Sequence, residues 1–183
     1  MIDKNLYLRD GHIHSPYCPH GTKDSLDAYV EKALEKGLKE MSFTEHMPFG
    51  SYFMPDKEFL DECALSKNDV QKYFDDVNRV KEKYSDKIKI NLGMEVDFID
   101  GLEEETKELL NTYGPSLEDG LLSVHFIKVN GEYMAIDGLG GLEKAIGLLG
   151  NIEKVYDKYY ETLLKAVKSD LGKYKPKRIG HPN

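Results

Sequence analysis

Five stretches of strand character in this 183-residue chain each end on, or close to, a histidine or a glutamate, with helical stretches between them. Residues 6–14 carry His12 and His14, residues 40–46 end on His46, and residues 88–99 carry Glu95. Residues 120–129 carry His125, and residues 178–181 end on His181. The third stretch is the clearest. Ile88, Ile90, Leu92, Met94, Val96 and Phe98 recur at the period of two that lines one face of a strand.

Between these stretches the apolar spacing becomes helical. Asp24 or Ser25 caps a helix with Leu26, Tyr29, Val30, Ala33 and Leu34 on one face, ending at Gly37. Ser66 and Asp69 read as a capping box that opens a second helix with Val70, Tyr73, Phe74, Val77 and Val80 inward. A short acidic helix is expected over 101–112 and a long one over 151–169, the latter after the glycine-rich DGLGG. Pro48, Gly50 and Pro55 mark residues 47–65 as a long loop, and Asn130-Gly131 predicts a type I′ hairpin into residues 132–136. Strands alternating with helices predict a single α/β domain with a parallel sheet of βα units. In such folds the chemistry gathers at the carboxyl ends of the strands.

Charge and cysteine usage narrow the classes. With 25 basic against 33 acidic residues the net charge is −8, and no Lys/Arg run stands apart from acidic neighbours. This disfavours binding to nucleic acid or a membrane surface and leaves a small molecule as the expected partner. Cys18 and Cys63 make no disulfide framework, the start MIDKNLYLRD has no apolar signal core, and no run approaches membrane-spanning length. A soluble, cytoplasmic protein is expected.

All six histidines and Glu95 fall at or just beyond strand ends, with His20 in the loop after the first strand. Alternate strand positions share a face, so His12 and His14 can turn their imidazoles toward one ion, and Asp10 could fix the tautomer of a ligating ring. A lone strand histidine is more often a satisfied or exposed residue. Five strands delivering a His or Glu to one rim favour ligation, and imidazole with carboxylate suits Zn, Fe or Mn. Glu45 reads as a hydrogen-bonding support for a ligand, a ligand or a surface charge. Asp97 reads as a hydrogen-bonding group rather than a ligand, and Cys18 as a small buried hydrophobe sooner than a soft ligand.

These residues form motifs: Asp10-Gly11-His12-Ile13-His14 followed by Cys18-Pro19-His20-Gly21, then Thr44-Glu45-His46, Gly93-Met94-Glu95-Val96-Asp97, Ser123-Val124-His125-Phe126 and Gly180-His181. In this order they resemble the PHP (polymerase and histidinol phosphatase) family, and within it the histidinol-phosphatase branch. The resemblance implies a distorted TIM-like (β/α)7 barrel, of which about five βα units are present, with three divalent metal ions at its carboxyl rim. It implies that His12, His14 and Glu95 hold one ion and that His20 and His46 hold a second. Glu95 would bridge to a third ion completed by His125 and His181. The family's late Asp-x-His motif has no counterpart before Asn183, so the chain is expected to be incomplete at its C-terminus.

The activity implied is hydrolysis of L-histidinol phosphate to L-histidinol and phosphate by a metal-activated hydroxide, a step of histidine biosynthesis. Glu45 would relay protons through water, and Asp10 would steady a ligating histidine. Two alternatives stay open: a phosphoesterase for another small phosphate ester or a phosphopeptide, and a metal-binding module without catalysis. No G-x-S-x-G or C-x(5)-R motif marks a covalent route.

Overall fold

A computed structural model of the chain describes residues 7–19 and 21–182, so the expected ligand His20 lies outside the described residues. The fold is mixed α/β. The elements run β1 (Arg9–Ile13), α1 (Leu26–Glu35), β2 (Glu40–His46), α2 (Lys57–Cys63), α3 (Val70–Lys83), β3 (Lys89–Asp97), α4 (Glu103–Tyr113), β4 (Asp119–Ser123), β5 (Phe126–Val129), β6 (Glu132–Ala135), α5 (Leu139–Leu149), α6 (Ile152–Lys168) and β7 (Arg178–Ile179). Five strands form one sheet in the order β1-β2-β3-β4-β7, and β5 and β6 pair separately. The pairs β1–β2 and β4–β7 are parallel, as βα units require, whereas β5–β6 is an antiparallel hairpin turning at Asn130 and Gly131, both at positive φ. No helix among the described residues is long and apolar enough to cross a membrane.

The chain forms two compact units. The first comprises Met1–Pro48, Asp61–Met94 and Ser116–Gly120. Its core is built from Leu26 and Val30 of α1, Met41 and Phe43 of β2, Tyr73, Val77 and Val80 of α3, and Ile90 and Leu92 of β3, all buried. Burying each such side chain contributes about 1.5–3 kcal/mol. Ser25 caps α1 by accepting the Ala28 N–H. The Tyr73 hydroxyl donates to Gly93 O at 2.9 Å and accepts the Glu45 N–H at 3.4 Å, joining α3 to both strands. The second unit comprises Phe49–Leu60, Glu95–Pro115 and Leu121–Asn183. Its core includes Val96, Phe98, Leu110, Leu122, Ile127, Met134, Ala145, Val155 and Ala166.

Local structure departs from the sequence expectation in four places. The loop over 47–65 contains helix α2, where Asp56 accepts the Phe59 N–H at 3.0 Å and Leu60 is buried. The single strand expected over 120–129 is two strands: β4 stays in the large sheet, and the chain leaves it at Val124–His125 to enter the hairpin. The glycine-rich stretch opens helix α5 ahead of α6. The capping box is not formed, because Ser66 Oγ accepts from the Asn68 N–H and Asp69 pairs with Lys72.

Candidate metal centre

In the first unit the donors are carried by β1 and β2. The parallel register of these strands slips by one residue between Asp10 and Ile13, a bulge at Gly11–His12. The slip breaks the period-two phase that would put Asp10 on the face of His12 and His14. The Asp10 carboxylate instead accepts the His12 backbone N–H at 3.2 Å, bracing the bulge. Past it, the His12 and His14 rings lie 5.2 Å apart, and His14 stacks on His46 with centroids at 4.6 Å.

Glu45 fixes the orientation of His14. It is 1% exposed, and its Oε1 lies 3.1 Å from His14 Nδ1. Its Oε2 accepts the Ser15 N–H at 3.0 Å and the Ser15 hydroxyl, and Oε1 also takes the His46 N–H at 3.3 Å. Burial pushes its pKa up, but the hydrogen bonds from His14 and Ser15 outweigh it and hold the carboxyl below its ordinary value. An ionised carboxylate only accepts, so His14 Nδ1 carries the hydrogen and Nε2 keeps its lone pair for an ion. Cys18 is buried beside this pair, and donor atoms of His14, Cys18 and Glu45 all lie within 4.8 Å of one another.

The second unit repeats the device. Glu95 is fully buried on β3, and its Oε1 accepts the Ser123 hydroxyl at 2.6 Å. The same oxygen faces His181 Nε2 at 3.3 Å and His125 Nε2 at 3.6 Å. His125 Nδ1 sits 2.7 Å from Asp97 Oδ1, so this ring too has one nitrogen on a carboxylate and the other turned inward. Burial lowers the His125 pKa, but the charge and hydrogen bond of Asp97, with Glu95 behind them, raise it to about 9. Gly180 is a steric requirement here, since a Cβ would fall 2.2 Å from Ser123 Oγ. Arg9 and Arg79 are engaged by carboxylates, Asp119 and Glu40 for the first and Asp76 and Asp27 for the second.

The donor chemistry fits divalent metal: buried carboxylate and imidazole Nε2 atoms converge, with Nδ1 atoms held by further carboxylates. Within the first unit His12, His14 and His46 come together. Within the second unit Glu95, His125 and His181 do, and Asp97 takes the hydrogen-bonding role expected of it. Ser123 was not singled out by the sequence. Its only signal is its place two residues before His125.

A PHP domain model matches residues 10–183, and the chain belongs to the PHP domain family. The histidinol-phosphatase of Bacillus subtilis (strain 168) is 40% identical over 177 residues, which are 96% of this chain and 66% of that protein. A crystal structure of a Listeria monocytogenes protein, provisionally assigned as a histidinol phosphatase, superposes with a TM-score of 0.90 at 37% identity, covering 95% of this chain and 66% of that one. The histidinol phosphate phosphatase of Lactococcus lactis subsp. lactis Il1403, solved with zinc, L-histidinol and phosphate, superposes with a TM-score of 0.53 at 24% identity. It covers 67% of this chain and 41% of its own, and it bears on the fold alone. The chain thus spans just under two thirds of the length of its Bacillus subtilis relative.

Proposed function

We propose that this chain carries a divalent-metal centre that hydrolyses L-histidinol phosphate to L-histidinol and phosphate. The observation that carries the reading is the convergence of His125 and His181 Nε2 on the buried Glu95 Oε1, with His125 Nδ1 held by Asp97. The relatives at 40% and 37% identity supply the reaction class and the substrate. Within the first unit His12, His14 and His46 would form a ligand group of their own; the donors of the chain suit three ions, with Zn, Fe and Mn the fitting elements. Such ions supply charge neutralisation at the phosphoryl oxygens and an activated nucleophile near neutral pH.

The chain's own residues then have separate tasks. Glu45 and Asp97 each pin an Nδ1–H, so that His14 and His125 present Nε2. Ser123 commits one lone pair of Glu95 Oε1. Glu45 has its oxygens taken up by His14, Ser15 and His46, so it acts through His14.

The test is metal content by mass spectrometry together with phosphate release from L-histidinol phosphate and a panel of phosphomonoesters. The expected result is stoichiometric metal, turnover with a preference for L-histidinol phosphate, and loss of both in Glu95→Gln. Metal without turnover on any ester would leave only a binding module. Turnover without that preference would move the substrate assignment elsewhere.

A further inference from the structure

His181 follows Gly180 directly and has φ +46°, left-handed backbone that costs free energy for a residue with a β-carbon and persists where the surroundings hold it. The last strand supplies part of that hold. Leu121 and Leu122 of β4 pair with Arg178 and Ile179 of β7, and the Gly180 N–H donates to Leu122 O at 3.0 Å. For His181 itself the hold comes from α6. The Tyr159 hydroxyl donates to the His181 carbonyl oxygen, and the Tyr160 hydroxyl donates to that of Pro182 at 3.2 Å.

The two tyrosines are not equivalent. Tyr159 is 8% exposed and packs edge-on against Tyr160, which is 47% exposed. A bond made at the surface by Tyr160 can be exchanged for one to water, whereas the bond made by Tyr159 has no such ready substitute.

We propose that Tyr159 is a positioning residue for His181: its hydroxyl fixes the left-handed turn that brings His181 Nε2 to 3.3 Å from Glu95 Oε1, and so sets the affinity of the ion held there. The inference rests on the reading of Glu95, His125 and His181 as metal ligands. It assigns to a helix remote in sequence, through one main-chain hydrogen bond, control over a ligand that the motif Gly180-His181 does not itself fix.

The experiment is a zinc titration of the full chain against a chromophoric chelator, for the parent, Tyr159→Phe, His181→Ala, the double variant and Tyr160→Phe. Thermal unfolding of each metal-free form accompanies it. Tyr159→Phe keeps the ring in the core and deletes one hydrogen bond, so the metal-free melting temperature should fall by a few degrees at most. Its zinc affinity at one site should fall about 10-fold or more, the size typical of groups that orient a ligand. His181→Ala should weaken the same site at least as much, and the double variant should be no weaker than His181→Ala alone. Tyr160→Phe should match the parent.

Two results overturn the proposal while leaving the ligand reading intact. One is Tyr159→Phe binding zinc like the parent while His181→Ala is weakened. The other is Tyr159→Phe losing the same factor in the His181→Ala background, which is a general structural effect. If His181→Ala itself binds zinc like the parent, the ligand reading fails and takes this proposal with it.

Discussion

His125 is held between two carboxylates, with Nδ1 2.7 Å from Asp97 Oδ1 and Nε2 3.6 Å from Glu95 Oε1. In the absence of metal this environment keeps the ring protonated, raising its pKa from 6.5 to about 9 against the opposing effect of burial. A proton and a divalent ion therefore compete for the same negative pocket. A group whose folded pKa exceeds its unfolded value contributes stability fully below the unfolded pKa and loses it as pH rises through the folded one. The metal-free protein should accordingly lose stability between pH 6.5 and 9, by an amount on the order of 3 kcal/mol from this group. Urea unfolding in chelator at fixed pH values measures this. Asp97→Asn should flatten the profile, and a parent profile already flat over that window would count against the charge pairing.

Metal binding should show the opposite trend. The ion must displace the His125 proton, so zinc affinity should climb from pH 6 towards pH 9 and level off there. In Asp97→Asn the charge that draws the proton is gone, so the rise of affinity with pH should flatten. At pH 9 and above, where no proton has to be displaced in either form, affinity should drop about 10–100-fold, the usual cost of losing a ligand-orienting partner. Competition with a chelator across a pH series reads both effects. An unchanged affinity in the variant would mean that Asp97 does not orient the ring.

Glu45 makes the matching prediction for the first unit. Its Oε1 accepts from His14 Nδ1 at 3.1 Å while Ser15 occupies Oε2. Glu45→Gln removes the charge and permits the amide nitrogen to face the ring, which releases the tautomer. Metal affinity is expected to fall by about 10–100-fold and turnover with it. Ser15→Ala should have a smaller effect in the same direction, because the Ser15 backbone N–H keeps its bond to Oε2. Equal effects of the two variants would contradict the role assigned to His14.

Much of this site is legible in the sequence for a simple reason. Strand periodicity and the motifs put His46 at the end of one strand and Glu95 late in another, where β2 and β3 carry them. Asp97 could be read from sharing the Glu95 face. What escaped the sequence depends on departures from regular pairing. The bulge at Gly11–His12 shifts Asp10 out of phase, and no pattern of side chains signals a one-residue slip. The joint at Val124–His125 reads as continuous strand because both flanks are apolar. Helix α5 was masked by its glycines, yet Gly141 is needed there: a Cβ would fall 1.8 Å from Ala135 O, so only glycine lets the helix lie against β6. Low propensity, normally evidence against a helix, marks close helix–strand packing at this point.

Gly180 offers a steric test. A Cβ at this position would meet Ser123 Oγ at 2.2 Å and Glu95 Oε1 at 3.4 Å. Gly180→Ala should therefore push Ser123 off Glu95 and destabilise the protein by about 1–3 kcal/mol, the range for overpacking a filled site. Ser123→Ala alone removes one buried hydrogen bond to a carboxylate, at a cost of about 1.5–3 kcal/mol. Because the clash is with the serine oxygen itself, the double variant should be less destabilised than the sum of the two. Strict additivity in urea unfolding would place the strain elsewhere.

Tyr73 links the core to the site without touching a ligand. Its hydroxyl is fully buried, donates to Gly93 O at 2.9 Å and accepts the Glu45 N–H at 3.4 Å, so one oxygen ties α3 to β2 and β3 where Glu45 begins its turn toward His14. Burial raises the Tyr73 pKa well above its ordinary value, so it remains a neutral donor and contributes no pH dependence at neutral pH. Tyr73→Phe keeps the packed ring and deletes only the oxygen. The expected loss is about 1–3 kcal/mol in urea unfolding, since two buried backbone groups each lose a partner. Zinc affinity should fall much less than in Glu45→Gln, because Ser15 and His46 still hold the Glu45 carboxylate. A loss of metal binding as large as that of Glu45→Gln, with stability unchanged, would show that Tyr73 serves the site directly and that its place in the core is incidental.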